Sequence, residues 1–455
     1  MRISSANPSG DPFRAQPAWS ACLLGRLAAE SRGLRGLIIE TTAGTFVREI
    51  RSASLLDESV DRGAGAEQAT RMAAAYWGLP DFMFRPAMRR RGHGVRELGD
   101  AIVVVGPRAL SVQVKARVAL STDDDRERRW LDKKIVEGSR QASGTVRSLL
   151  TAGRAVRLVN ERDREIEIDA RTRSWVNVVV LDHPGIDGYV PTGPAVVLLR
   201  RDWEFLFEQL KSTYAVVEYL HRISSTAPIK LGTEAVRYYE FAAADAAAPV
   251  NRPDPRLAAL GFNKPTSLPL LPQAPAGHGD DRDHAIVRGI LEDVAVTGVV
   301  DEDGRLNVLA AIDAIPVAYR AELGRTVVRW LDEVGVPEPG LIWRFRNLPW
   351  PGRPYLLLGA TTRLDERVQR EFNDFIALRH QQQMELMPER ADAMTVGILL
   401  TRRADGLRPW DTTVAATRGD QGFDPRFRRF LDRLWGPLGG GGGRQLTDDD
   451  WDELA

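Results

Sequence analysis

The chain predicts an α/β protein built as two units, and three observations carry that reading. A β-branched hairpin at 101–114 lies between two amphipathic helical stretches. Further apolar strand runs recur between 155 and 199. A proline-rich break near 250–283 separates all of this from a second series of strands and helices. At 455 residues the chain is long enough for two or three domains with sizeable cores.

Taken in order, residues 1–36 are rich in Arg, Ser and Ala and lack the apolar core of a secretory signal, so they read as a flexible N-terminal tail. A strand pair follows at Gly36–Glu40 and Thr45–Arg48. Gly65 to Met72 begins a helix that ends near Gly78-Leu79-Pro80. Next comes the hairpin: Asp100, the run Ala101–Val105, a Gly106-Pro107 turn, and Ala109–Lys115. If Gly106 faces Ala109, Asp100 lies opposite Lys115 and Ile102 opposite Gln113, all on one face of the ladder. Ser121-Thr122 and the acids Asp123, Asp124 and Asp125 read as a helix start with hydroxyl caps. The helix carries Leu131, Ile135, Gly138, Ala142, Val146 and Leu149 on one stripe, with Lys134 and Gln141 off it.

Strands are expected at 155–159, 176–181 and 195–199, then a single amphipathic helix from Asp202 to Ile223. Residues 37–250 form the first domain and 251–283, interrupted by Pro253, Pro255, Pro265, Pro269, Pro272 and Pro275, a linker. Residues 284–438 read as a second α/β domain. Its helices are Ala285–Val294, Val317–Val334 and Arg363–Leu386, and its strands lie near 340–345, 354–358 and 394–400. Gly439–Gly443 reads as a flexible linker, and 439–455 as a Gly-rich, acidic tail.

Charge bounds the partners. Lys plus Arg and Asp plus Glu both number 62, so no global field draws the chain to nucleic acid, and DNA contact needs a local patch. Arg85, Arg89, Arg90, Arg91 and Arg96 form the best cluster, immediately before the hairpin; such clusters are usually solvated, and here phosphate contact is the competing reading. Cys22 is the single cysteine, which excludes an internal disulfide and any C-x-x-C metal pattern. No segment has the length of an uncharged transmembrane helix, so a cytoplasmic protein without membrane contact is expected. His183, His278, His284 and His380 show no paired zinc spacing, and no phosphate-binding loop of the G-x-x-x-x-G-K-[ST] kind occurs.

The hairpin carries the chemistry. Asp100, Gln113 and Lys115 bring an acid, an amide oxygen and an ammonium group to one patch. Oxygen ligands suit a hard cation that keeps waters and takes up phosphate oxygens, and an ammonium group neutralises charge on a phosphate under attack. The bland reading is that charges gather at strand ends near solvent. Against it, lysine is scarce in this Arg-rich chain, and its retention at 115 suggests a need for a compact point charge.

The pattern D-x12-Q-x-K resembles the PD-(D/E)XK nuclease superfamily, in the Q-x-K form of Mrr-type restriction endonucleases, over residues 60–150. The resemblance implies a restriction-endonuclease-like core of helix, β-hairpin and helix. It also implies Mg²⁺ or Mn²⁺ as cofactor, DNA as substrate and a role in restriction or defence against mobile DNA. By the same resemblance Asp100, Gln113, Lys115 and Glu67 are catalytic, with Asp100, Gln113 and Glu67 on the metal. Glu67 comes from the preceding helix, where a solvated helix-start glutamate is the equal alternative. Arg89, Arg90, Arg91 and Arg96 are the candidate DNA contacts. Gln113 stands where the superfamily has an acid, and an amide binds Mg²⁺ more weakly. A catalytically weak nuclease fold that binds nucleic acid or protein is therefore the rival class. Residues 284–438 are the candidate module for a protein partner, and a homo-oligomer is compatible with either class.

Overall fold

A computed structural model of the chain describes residues 24–27, 34–41, 44–85, 87–91, 94–152, 155–247, 278–297, 302–315, 317–334, 341–348, 355–390, 393–403, 409–436 and 442–446. The chain divides into two compact units, Gln16–Ala248 and Ala276–Ala455. Among the described residues the fold is mixed α/β, and no helix is long and apolar enough to cross a membrane.

The N-terminal unit opens with a three-stranded antiparallel sheet of β1 (Leu24–Leu27), β2 (Leu34–Thr41) and β3 (Gly44–Arg51). This corrects the expected tail at 1–36, because β1 and the start of β2 fall inside it. The pairing of Leu24 with Glu40 and Leu27 with Leu37 supplies the backbone partners that a four-residue segment cannot advertise in its own sequence. Helix α1 (Arg62–Trp77) begins at Asp61, whose carboxylate accepts from the Gly63 and Ala64 N–H groups. The hairpin of β5 (Ala87–Arg91) and β6 (Gly94–Leu98) follows the short β4 (Met83–Phe84).

The main sheet of this unit combines β4 with β7 (Ala101–Val105), β8 (Arg108–Ala116), β11 (Ser174–Asp182) and β12 (Val196–Leu199). Its order is β12-β11-β8-β7-β4. β4, β7 and β8 are antiparallel neighbours, whereas β11 runs parallel to both β8 and β12. Helix α2 (Asp124–Leu150) makes the long crossover that parallel pairing of β8 and β11 requires. A small hairpin, β9 (Val156–Val159) and β10 (Glu165–Ile168), lies between α2 and β11. Because the sheet is covered on both faces, all five residues of β7 are buried, which explains its unbroken apolar run.

Two local expectations change. The β7–β8 ladder pairs Val105 with Arg108 and Ala101 with Val112. The turn is Gly106-Pro107 as expected, but Val105 faces Arg108 across it where Gly106 was expected to face Ala109: Gly106 at φ 53 supplies the positive dihedral that a tight two-residue hairpin needs at its first position. α2 is capped by Asp123, whose side chain accepts from Asp125 and Arg126 N–H; Ser121 accepts from the Asp123 N–H instead of capping the helix.

The expected single helix at 202–223 is two helices, α3 (Arg200–Leu210) and α4 (Thr213–Ile223). Lys211 breaks it at φ 49, with its ammonium 4.3 Å from the centre of the Trp77 ring. Ser212 then caps α4 by accepting from Ala215 N–H, and Thr213 Oγ1 accepts from Leu79 N–H at 2.8 Å. Helix α5 (Glu234–Ala247) closes the unit. Ser111 donates to the carbonyl of Ala142 on α2, while Arg108, of opposite parity on β8, pairs with Glu218 of α4 at 2.6 Å. α2 thus covers one face of the sheet, and α4, packed with α3 and through it with α1, covers the other.

The start of α2 is tied to the ends of β8 and β11. Glu127 accepts from Arg117 at 2.6 and 3.0 Å and from Ser121 N–H at 3.0 Å, and it lies 3.0 Å from His183 Nε2. His183 stacks on Trp130, and Arg117 lies over the same indole.

In the C-terminal unit α6 (His278–Val296), α7 (Glu302–Asp313) and α8 (Val317–Glu333) precede a sheet of β13 (Leu341–Leu348), β14 (Tyr355–Thr361), β15 (Thr395–Arg402), β16 (Trp410–Thr417) and β17 (Gly442–Leu446). Its order is β16-β15-β14-β13-β17. α9 (Glu366–Leu386) crosses between the parallel pair β14 and β15, and α10 (Pro425–Trp435) packs on α9. Trp343, Phe345, Phe372, Phe375 and Trp435 form its aromatic core. Gly442 and Gly443, the end of the run read as a linker, join the fold, since β17 pairs Gly442 with Phe345 and Leu446 with Leu341; 437–441 lie outside the described residues. The segment 278–283, expected in the linker, is the first turn and a half of α6; 251–277 and 447–455 lie outside the described residues.

The bond from Arg117, with those from His183 and Ser121 N–H, holds the Glu127 carboxyl down from 4.5 to about 2. Its folded value lies below its unfolded one, so its contribution is whole above pH 4.5 and is lost as pH falls toward 2. Glu127→Gln should be less stable than wild type at neutral pH and should lose less stability across that window. Urea denaturation at stepped pH measures both, and parallel acid profiles for the two proteins would remove Glu127 from the transition.

Candidate active site at the carboxyl end of β8

Asp100 stands where the chain enters β7, beside the carboxyl end of β8. Continuing the ladder one step places it across from Gln113, with Lys115 diagonal to it. The two-residue change in register moves the pairing but preserves the face, because side chains alternate with period two. The three sequence-predicted residues therefore meet. Asp100 Oδ2 accepts from Val114 N–H at 2.6 Å and lies 3.8 Å from Lys115 Nζ. The Asp100 and Lys115 side chains are 16% and 13% exposed, enough to meet a ligand and little enough to be strongly desolvated.

Gln113 is buried beneath α2. Gly138 makes that fit: a Cβ there would come within 3.1 Å of both Val179 methyls and 3.7 Å of Gln113 Cβ. On the other side lies Gly99, at φ 77, where a Cβ would sit 3.3 Å from Gln113 Nε2 and 3.4 Å from Thr145 Oγ1. Only glycine adopts this dihedral without strain while leaving room for the amide.

Burial pushes the Asp100 carboxyl above its ordinary range, against the Val114 N–H, Lys115 and Arg71, which pull it down. Burial is the larger effect, so the carboxylate is under-compensated by the protein. Arg71 is a residue the sequence reading passed over. It projects from α1, donates to Glu161 at 3.1 Å and acts on Asp100 through its charge. Glu67 lies half-buried one helical turn before Arg71, on the helix layer across the sheet from α2. Arg89, Arg90, Arg91 and Arg96 lie on the β5–β6 hairpin, with Arg89 opposite Arg96, and this hairpin runs into Gly99 and Asp100. Arg85 is engaged within the fold by Glu161 at 3.2 Å and Asp163 at 2.6 Å.

The sequence reading also passed over Glu137 on α2, which accepts from Lys134 at 2.8 Å. The signal was present: a glycine inside an apolar helical stripe marks close approach, so its neighbours flank whatever lies beneath. Among the described residues no group of three or more His, Cys, Asp or Glu side chains is placed to hold a metal ion. Comparisons with protein-family models, curated proteins and solved structures returned no match to the chain.

Gly99→Ala should destabilise the protein by about 1–3 kcal/mol, through a positive φ that alanine resists and the displaced Gln113 amide. Thermal melting of the variant checks this. A melting temperature equal to wild type would mean that Gly99 does not set the position of Asp100 and Gln113.

Proposed function

We propose that the N-terminal unit is a metal-dependent DNA endonuclease of the PD-(D/E)XK type in its Q-x-K form. The observation that carries the reading is the meeting of Asp100, Gln113 and Lys115 on one patch at the carboxyl end of β8, with the ammonium 3.8 Å from the carboxylate. The chain order supports it: α1, then the β4, β7 and β8 antiparallel strands, then α2 and the parallel β11, is a helix–hairpin–helix core with the motif on its hairpin.

The donors fit a hard divalent cation. They are oxygen atoms only, and Asp100 is a desolvated carboxylate that the protein leaves under-compensated. Asp100 and Gln113 would hold such an ion, with water or phosphate completing the shell, since Glu67 lies across the sheet on α1. A bound Mg²⁺ or Mn²⁺ would supply a water of lowered pKa and charge neutralisation at the phosphate. Lys115 is the protein's own cation at that point, placed to balance charge that grows on the phosphate in the transition state. The arginines of the β5–β6 hairpin, next in the chain, are suited to backbone phosphates, which position a duplex without reading its sequence.

Selectivity, or contact with a protein partner, then falls to the C-terminal unit. A role in restriction or defence against mobile DNA is an analogy from the motif alone. A catalytically weak nuclease fold that binds without cleaving is the second reading. The burial of a neutral Gln113 favours it.

Lys115→Ala and Asp100→Ala should each lower Mg²⁺- or Mn²⁺-dependent cleavage of plasmid DNA by about 10²-fold or more while leaving the circular dichroism spectrum unchanged. Equal cleavage by wild type and Lys115→Ala would sink the nuclease assignment. Duplex binding with no cleavage by any form would establish the second reading.

A further inference from the structure

We infer that Lys133 and Lys134 on α2 form a phosphate subsite beside Lys115, taking a DNA backbone phosphate next to the one held at the Asp100–Lys115 patch, with Glu137 as their counter-ion in the free protein. The proposal rests on the nuclease reading for which phosphate Lys115 faces, and on the geometry of α2 for the rest.

α2 runs antiparallel to β8 in matched steps. Ala142 receives the Ser111 hydroxyl, and Gly138 lies over Gln113. Four helical residues and two strand residues both advance by about 6 Å, so the next step sets Lys134 level with residue 115. Lys134 pairs there with Glu137 at 2.8 Å, both side chains being 29% exposed.

Composition makes the cluster unusual. Only six of the 62 Lys and Arg residues are lysine, and three of the six are Lys115, Lys133 and Lys134. All three act on one carboxylate: Glu137 is held below its ordinary range first by the bond from Lys134 and further by the charges of Lys115 and Lys133. Against three ammonium groups the patch sets two carboxylates, Asp100 and Glu137, which leaves one positive charge for a phosphate. Compact, strongly hydrated ammonium groups suit phosphate as point charges, and Glu137 keeps them gathered until an anion replaces it.

The test measures binding, not cleavage. A fluorescein-labelled DNA duplex is titrated with the full chain in EDTA across a salt series, followed by anisotropy. The double variant Lys133→Ala/Lys134→Ala should weaken binding about 10-fold and flatten the slope of log K against log salt by about 1–2. Lys134→Arg should keep the wild-type salt slope, because the charge is kept, and should lose less affinity than the double variant. Glu137→Gln should tighten binding about 3-fold, because it removes the carboxylate that competes with phosphate.

An unchanged affinity and slope in the double variant would overturn the subsite. A loss of affinity in Glu137→Gln equal to that of the lysine variants, with a lowered melting temperature, would make the pair a structural ion pair and also overturn it. Absence of cleavage by the wild-type chain would remove the nuclease reading alone, since the salt slopes are obtained without turnover.

Discussion

The close approach of α2 to the sheet at Gly138 is the constraint on which the N-terminal unit depends. With no side chain at that position, the helix comes within van der Waals reach of Val179 on β11 and of Gln113 on β8. That single contact roofs Gln113, so an amide that would otherwise face water is buried between helix and strand. It also fixes the phase of the helix. Leu131, Ile135, Ala142 and Leu149 point into the layer, while Lys134 and Glu137 are left along its edge. The Glu127 cluster with Arg117 and His183 prevents the helix from sliding, because it ties the first turns to the ends of both parallel strands.

The chemistry of the patch follows from a contest between desolvation and compensation. Asp100 is buried enough that the loss of water outweighs its hydrogen bond from Val114 and the charges of Lys115 and Arg71. A structural ion pair normally leaves neither group wanting, and one buried this far without full pairing is costly to the fold. Two other buried carboxylates of the unit are paired. Asp182 accepts from Arg62 at 3.0 Å and Arg200 at 2.9 Å, and Asp81 from Arg162 at 2.6 Å. Against those two, the carboxyl end of β8 is a place where the protein tolerates an unbalanced charge.

The C-terminal unit spends its polar groups differently. Arg379, wholly buried, donates to the carbonyls of Trp435 at 2.7 Å and Gly436 at 2.8 Å, closing the end of α10 over the aromatic core. His380 lies 3.0 Å from both the Thr395 hydroxyl and the Gly419 carbonyl, which makes it a linker between α9 and the sheet. Asp293 of α6 accepts from the Trp410 indole and the Thr412 hydroxyl of β16. These are packing roles.

By itself the sequence determined the elements whose signals are local: the β-branched runs of β7 and β8, the apolar stripe of α2, the start of β14 and the carboxyl end of α9. It also determined that Asp100, Gln113 and Lys115 share a face, since a register error of two residues leaves parity intact. Tertiary structure decided everything that depends on a partner distant in the chain. The tight Gly106-Pro107 loop chose the true register. Trp77 and Leu79, more than 130 residues upstream, hold the break at Lys211 and Thr213. β1 and β17 are strands only because β2 and β13 offer them backbone groups. The gathering of Lys115, Lys134 and Glu137 arises from the matched rise of a helix and a strand that no periodicity within either one contains.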